Sequence, residues 1–379
     1  MTSPTTGQSA ARRAAPAGVV FALLGLALFA YFVWKAGAGE IWAQMRALGA
    51  GFLVILLISA ARPVVRSLAW VRCFEPEHSL SFRDALHAYL VGDALGNLMP
   101  FGIVVSEPAK AAFARERVPL AAAVSALAVE NLFYMLSVAL FVFAGAAAML
   151  LSFPLPPKLR LAAVATLCVV AVVIGLAVLV VRRRWKFLTG ALRLVAGARV
   201  GRRFVEGRGE RVAAVEDRVY GFYARHRGRF LPILLLEGGF HLAGVAEVFA
   251  TLYLMLGRAP APAELALASF VLESVNRVIN VVFKFVPMRV GVDEAGSSII
   301  TRRVLNLGET AGVTLAIVRK ARIIVWTGVG VALLVRRGLT VRGAAEQARR
   351  AARDAADERR RAESERVAVA EEPLAARRP

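Results

Sequence analysis

The sequence has little of what most soluble enzymes use for catalysis or covalent cross-linking. It contains two cysteines, both in or beside apolar segments, so no disulfide framework is predicted. Its four histidines are scattered without zinc-like spacing. Neither a nucleotide-binding loop nor a Ser-His-Asp arrangement occurs. We therefore predict no cofactor, no metal site and no catalytic residues, and we expect His241 to be a buried core residue.

Apolar residues dominate the composition, at 58% of 379 residues with a mean hydropathy of +0.60. Crossing the roughly 30 Å of hydrocarbon in a bilayer takes about 20 residues of helix. The apolar segments do not alternate in polarity, which argues against a β-barrel. We predict an all-α polytopic membrane protein with six transmembrane helices, at about 19–34, 51–71, 120–151, 159–181, 230–256 and 311–335.

The formal net charge of +21 does not indicate nucleic-acid binding. Basic residues concentrate at the N-terminus, in the connection 182–229 and in the tail, and the positive-inside rule assigns all three to the cytoplasm. We expect a multi-pass protein of a bacterial cytoplasmic (inner) membrane with both termini cytoplasmic. The predicted regions are a tail at 1–16, a transmembrane domain at 17–337 and a basic helical or disordered tail at 338–379.

One spacing occurs twice within apolar sequence. An acid or amide, a proline and a glutamate follow one another at intervals of seven residues. These trios are Asp93, Pro100 and Glu107, then Asn280, Pro287 and Glu294. Prolines, glycines and carboxylates are unfavourable in an ordinary membrane helix, and paired interrupted segments are typical of transporter sites.

Tracing the chain through the bilayer gives the two interrupted segments opposite orientations. The first enters from the cytoplasmic side and the second from outside, which predicts two re-entrant helical hairpins in an inverted repeat. The halves run over about 51–152 and 230–335. Eight full spans are the alternative topology, and a chance match of two short trios is the alternative to duplication.

Intramembrane charges are costly and mark functional sites. Clustered basic residues in the second half would suit a phosphate, because guanidinium forks match phosphate oxygens. Carboxylates would balance them or take protons, and Glu273 is expected to pair with Arg277. The predicted headgroup-binding or translocation residues are Asp93, Pro100, Gly102, Glu107, Lys110, Glu130, Arg277, Asn280, Lys284, Pro287, Arg289, Gly291, Asp293, Glu294, Arg319 and Arg322.

Simpler interpretations compete with this site. Arg319, Lys320 and Arg322 could extend to a membrane interface instead of lining a cavity. Glu237 and Glu247 are expected to form hydrogen bonds between packed helices. Arg62 and Arg66 are expected near the inner interface.

The segments around Pro100-Phe101-Gly102, Ser106-Glu107 and Pro287 to Glu294 resemble the lysylphosphatidylglycerol synthase transmembrane-region family, also called flippase-like membrane proteins. The resemblance covers about residues 19–335, and Glu107, Glu130, Glu294 and Arg319 match its motifs. Asn131 stands where the family often has arginine, and Lys110 where it usually has arginine. About forty residues follow the last span, too few for the aminoacyl-transferase domain of the bifunctional members.

The resemblance implies lipid handling and not lipid aminoacylation. The favoured hypothesis is a non-enzymatic protein that binds and translocates an anionic or polyprenyl-phosphate lipid. The alternative is a non-transporting accessory subunit of an envelope-lipid or glycan pathway. An intramembrane enzyme using Glu130 or Glu294 is the weakest hypothesis. The sequence makes no prediction of oligomeric state.

Overall fold

The protein is an all-α polytopic membrane protein, as predicted. The computed structural model describes residues 31, 34, 38–98, 103–183, 221, 225–257, 261–283, 289 and 291–336. Within these ranges it contains ten α-helices and no strand. In chain order they are α1 Ala38–Leu48, α2 Gly51–Arg72, α3 Phe82–Leu98, α4 Ile103–Ala114, α5 Leu120–Ser152, α6 Pro157–Arg183, α7 Arg227–Leu256, α8 Pro262–Val282, α9 Val292–Arg303 and α10 Glu309–Arg336.

Five described helices are long and apolar enough to cross a membrane, namely α2, α5, α6, α7 and α8. The first four coincide with predicted spans. Helix α8 was predicted as one arm of a re-entrant hairpin, yet its 21 residues are long and apolar enough to cross a membrane. Helix α10 is longer but carries Arg319, Lys320 and Arg322 near its centre. The predicted span at 19–34 lies almost entirely outside the described residues.

Helices α2 and α7 pack antiparallel along much of their lengths. The paired positions run in opposite order along the two helices: Gly51 with Leu254, Arg62 with Glu247, Arg66 with Glu237, and the Arg72 carbonyl with the Arg229 side chain. This pairing places the end of α2 and the start of α7 on the same side of the molecule.

An ion pair outside the long helices closes that same end. Glu75 accepts from Arg225 Nη2 at 2.8 Å and lies 2.9 Å from His226 Nε2. Burial alone would raise the pKa of Glu75, but hydrogen bonds from His226 and Arg225 outweigh it and lower the pKa of this carboxyl. The loop after α2 is thereby held against the start of α7, which agrees with a common, predicted cytoplasmic side for both.

Helices α3 and α4 lie side by side, joined by four residues. A Cβ at Gly92 of α3 would lie 2.4 Å from Lys110 Cγ and 3.0 Å from the Ser106 carbonyl oxygen of α4, so a larger residue would require the Lys110 side chain or α4 to shift. Helix α4 has 12 residues, about 18 Å of helix, and so is short of the roughly 30 Å needed to cross a bilayer. Helix α9 also has 12 residues and packs against α8, where Ile279 fills the space beside Gly296.

Helix α10 contacts both helix pairs, at different levels. Its first half packs on α9, with Gly312 against the Ser297 carbonyl and Lys320 against Glu294. Its second half packs on α3, where Asn97 Nδ2 donates to Thr327 Oγ1 at 3.1 Å. The start of α9 and the end of α3 therefore both lie beside the middle of α10, and the two helix pairs approach it from opposite directions.

Both halves have the same order of elements: a long helix, a helix pair and another long helix. This order fits the predicted repeat, although duplication itself stays a prediction. The turns that would carry Pro100, Gly102, Lys284 and Pro287 lie outside the described residues.

Cysteine labelling tests the predicted topology. In a cysteine-free background, we expect a membrane-impermeant maleimide to label Ser152→Cys and Ala263→Cys only from outside and Glu77→Cys only from inside. Leu98→Cys, at the end of α3, should stay unlabelled from outside, because a re-entrant pair does not reach that surface. External labelling of Leu98→Cys would contradict the hairpin and support eight full spans.

Candidate functional site

Glu273 of α8 is the centre of a buried ion network that joins helices distant in sequence. Its Oε1 accepts from Arg62 Nη2 of α2 at 2.8 Å, and its Oε2 accepts from Arg319 Nη2 of α10 at 3.0 Å. Arg277, one turn further along α8, also donates to Oε1, which confirms the predicted pair. Glu273 is 1% exposed. One carboxylate thus receives three guanidinium groups from three helices.

Glu247 of α7 extends this network. Its Oε2 accepts from Arg322 Nη1 at 3.0 Å and from Arg62 Nη1 at 3.3 Å. We call the assembly the four-arginine cluster; its members are Arg62, Arg277, Arg319 and Arg322 with Glu247 and Glu273. Four guanidinium groups face two carboxylates, so the cluster has a formal excess of two positive charges.

Several N–H groups of the four-arginine cluster point at no acceptor. Buried nitrogens without a hydrogen-bond partner in the described part of the chain occur on all four arginines: Arg62 Nε, Arg277 Nε, Arg319 Nη1 and Arg322 Nε. Buried charge without compensation is costly, as is a buried donor without an acceptor. The cluster therefore has both the charge and the open donors of an anion site.

Gly244 and Phe240 of α7 both contact the four-arginine cluster. At Gly244, a Cβ would lie 2.5 Å from Glu273 Oε1 and 2.8 Å from Arg62 Nη2, so a side chain there would displace the ion pair. The Phe240 ring lies under two guanidinium groups, with Arg62 Cζ at 4.7 Å and Arg277 Cζ at 4.9 Å from its centroid. Cation–π contact stabilises arginine where water is excluded.

Asp93, Glu107 and Lys110 form a second group at the α3–α4 pair. Lys110 Nζ lies 3.0 Å from Glu107 Oε1 and 3.2 Å from Asp93 Oδ1, and Asn131 Nδ2 donates to Glu107 Oε2 at 3.0 Å. The lysine is buried, but the Asp93 and Glu107 side chains remain 45% and 32% exposed. The surplus carboxylate of this group therefore lies at the surface of the helix pair and is not buried as Lys110 is.

Arg66, one turn after Arg62 on α2, serves a different pair of acids. Its Nε lies 2.5 Å from Glu130 Oε1 of α5 and 3.6 Å from Glu237 Oε2 of α7. Its guanidinium stacks 3.9 Å from the centroid of Tyr134. All three charged side chains are buried, so a single cation faces two carboxyl groups away from water.

The start of α9 carries a fourth group, which is formally neutral. Lys320 Nζ lies 2.5 Å from Glu294 Oε1 and 3.7 Å from Asp293 Oδ2, while Arg289 pairs with Asp293 at 3.4 Å. Glu294 Oε2 accepts from the Gly291 amide at 2.7 Å, and Gly291 has a φ of +83°. Glu294 therefore caps the first turn of its own helix.

The predicted site residues thus separate into several groups. Arg277, Arg319 and Arg322 lie in the four-arginine cluster, whereas Arg289, Asp293 and Glu294 do not. Glu107 belongs to the α3–α4 group and Glu294 to the group at the start of α9. Asn280 keeps a buried Oδ1 without a partner. Pro100, Gly102, Lys284 and Pro287 lie outside the described residues.

Sequence analysis missed important members of these groups. Arg62 and Arg66 are 8% and 4% exposed and pair with acids of neighbouring helices, while their position near the inner interface stays a prediction. Arg319 and Lys320 are likewise buried beside carboxylates, which excludes extension to an interface. Glu247 accepts hydrogen bonds from Arg62 and Arg322 of neighbouring helices, as expected, and Glu237 lies beside Arg66. The sequence did contain a signal for these groups. Arg62 and Arg66 lie four residues apart in one apolar segment, and another apolar segment contains two acids, Glu237 and Glu247.

The described residues contain no group of three or more potential metal ligands. His241, as expected, is a buried core residue, 3.1 Å from Ser137 Oγ and stacked on Phe141. The four-arginine cluster is the strongest candidate site, and its chemistry is anion binding.

Comparison with known proteins agrees with the membrane fold. A family model described as "Lysylphosphatidylglycerol synthase TM region" matches residues 17–330. No curated protein and no solved structure matches the chain.

Glu273→Gln tests the central role of this carboxylate. Removing its charge leaves three guanidinium groups around a neutral amide, and loss of one partner from a buried ion pair costs about 3–5 kcal/mol. We expect a clear fall in the midpoint of thermal unfolding in detergent. Glu264→Gln is the matched control, because Glu264 lies exposed on the same helix. Equal midpoints for the two variants would contradict the assignment.

Proposed function

We propose that this chain, which belongs to the lysylphosphatidylglycerol synthase transmembrane-region family, binds the phosphate-bearing headgroup of a membrane lipid at the four-arginine cluster and moves it across the membrane. The family places the chain among integral membrane proteins of lipid-related pathways. The finer statement, that it is a translocating protein of a bacterial cytoplasmic membrane with both termini inside, is our proposal.

The observation that carries the proposal is the uncompensated charge of the cluster. Two formal positive charges and open N–H donors on four arginines match what a phosphate group supplies. Charge-assisted hydrogen bonds from guanidinium to phosphate oxygens are short and strong. A bound phosphate would supply acceptors to the open donors and reduce the charge surplus: a phosphodiester would neutralise one of the two positive charges, and a phosphomonoester nearly both.

The surroundings favour a lipid over a soluble phosphate compound. The cluster lies among helices that are long and apolar enough to cross a membrane. Helices α7 and α10 also expose apolar side chains to their surroundings, including Leu235, Leu242 and Ile324. A lipid could place its headgroup in the cluster while its acyl chains stay on these apolar surfaces in the bilayer.

The two short helix pairs suggest how the headgroup could move. In the proposed mechanism, α3–α4 opens toward the cytoplasm and α8–α9 toward the outside, and rocking of the two halves exposes the cluster to one side at a time. The contacts of α10 with one pair on each half of its length support this. The lipid is carried without chemical change, so we propose a transporter and not an enzyme.

Arg319→Gln tests headgroup binding. It removes one charge and one open donor while Arg62 and Arg277 still neutralise Glu273. A hydrogen bond to a charged group is worth about 1.5–3 kcal/mol, so we expect at least about tenfold weaker binding of phosphatidylglycerol in detergent. Native mass spectrometry or microscale thermophoresis would measure it. Arg160→Gln, an equal charge change at an exposed position of α6, should bind as wild type does.

Transport is tested separately with reconstituted vesicles. Fluorescent phosphatidylglycerol in the inner leaflet should become accessible to an external quencher faster with wild type than with Arg319→Gln or empty vesicles. Lipid recovered afterwards should have an unchanged mass. Lipid binding without lipid movement would favour an accessory subunit over a transporter. Equal binding by wild type, Arg319→Gln and Arg160→Gln would overturn the headgroup site.

A further inference from the structure

Glu130 and Glu237 form a buried acid pair that the anion site does not use. They are 1% and 0% exposed, and both approach the same Arg66 Nε, Glu130 Oε1 at 2.5 Å and Glu237 Oε2 at 3.6 Å. None of their four carboxyl oxygens has a hydrogen-bond donor of good geometry in the described part of the chain. Two ionised carboxylates cannot donate to each other, so full ionisation would leave the pair with Arg66 as its one direct cationic partner among the described residues.

Charge compensation at this pair falls short by one. Arg66 is the only cation in direct contact with either carboxyl among the described residues, and it is closer to Glu130. When two carboxyl groups share a buried site, one of them tends to keep its proton. A proton on Glu237 would neutralise the surplus charge and let Glu237 donate to Glu130.

The groups around the pair do not supply the missing charge. Arg66 is the contribution of α2, and Tyr89 and Asp93 that of α3. Lys110 of α4 is committed to Asp93 and Glu107, and α5 presents Asn131 and Tyr134. On α7, Arg229 is bound to backbone carbonyls and His241 to Ser137. Cys73, at the end of α2, is a buried thiol and carries no positive charge. The neighbouring cations Lys110 and Arg229 therefore already have other partners.

A proton fits the space better than a metal cation. The Arg66 guanidinium contacts both carboxyl groups and would repel a second cation there. Hard cations such as Ca²⁺ take 6–8 oxygen ligands, and the described residues contain no group of three or more metal-binding side chains.

The acid pair and the four-arginine cluster are adjacent. Arg62 and Arg66 lie one turn apart on α2, and the Phe240 ring lies 4.7 Å from Arg62 Cζ and 5.8 Å from Arg66 Cζ. An anion bound at the cluster adds negative charge near the pair and favours protonation there. By linkage, a proton on the pair strengthens anion binding to the same degree.

We propose that Glu130 and Glu237 share one proton, held on Glu237, and that this proton is coupled to occupancy of the four-arginine cluster. The proton site stands on its own geometry, whereas its coupling role rests on the proposed function. At pH values between the titration midpoints of the lipid-free and the lipid-bound protein, a proton is taken up with the headgroup and both are released together.

Infrared spectroscopy detects the proton directly. Lipid-free wild type should show the carbonyl band of a protonated carboxylic acid, and this band should vanish in Glu237→Gln but persist in the exposed control Glu264→Gln. Gln keeps the shape of a neutral carboxyl group, so Glu237→Gln should fold. Absence of the band in wild type at every pH tested, or its persistence in both Glu130→Gln and Glu237→Gln, would overturn the proton site.

Coupling is measured on wild type alone. With phosphatidylglycerol, whose phosphodiester does not titrate in this range, the band should disappear at higher pH than without lipid. Arg319→Gln should keep the band but lose much of this shift. An unchanged midpoint despite measured binding would refute the coupling. A band that behaves as expected in a protein that binds no lipid would leave the proton site intact and refute the headgroup proposal.

Discussion

The contact between Glu273 and its arginines determines how the membrane core is assembled. It brings α2, α8 and α10 to a single carboxylate, and Arg62 passes the connection on to Glu247 of α7. Apolar packing between these helices is weakly directional, because lipid tails solvate leucine as well as another helix does. Ion pairs with defined geometry can fix the relative positions of the helices where apolar contacts do not.

The same network creates the functional potential of the protein. The four-arginine cluster has two surplus positive charges, and the neighbouring Arg66 group has one surplus carboxyl. The positive surplus of the cluster and the carboxyl surplus of the Arg66 group do not cancel by direct contact, although only one turn of α2 separates Arg62 from Arg66. Phe240 and Tyr134 lie against these guanidinium groups and exclude water from them. Such separation has an energetic cost, which an entering anion and a mobile proton would each reduce.

Much of the architecture could be predicted from the sequence, because long apolar segments have few alternatives to helices in a membrane. Four spans and the Glu273–Arg277 pair followed from length and i,i+4 spacing. The partner choices did not, since they join residues as distant in sequence as Arg62 and Glu273. Arg62 was expected near the inner interface, and its own segment does not show which acid lies opposite it. The order of charges along the chain likewise could not show that Glu294 would bind its own helix terminus.

The central claim is that a lipid phosphate completes the four-arginine cluster. A cryo-electron microscopy map of the protein in nanodiscs containing phosphatidylglycerol tests it most directly. We predict headgroup density within hydrogen-bonding distance of Arg319 and Arg322, with acyl-chain density leading to the apolar surface of α7 or α10. Ordered lipid confined to the outer perimeter, with no density at the cluster beyond the protein side chains, would contradict the account.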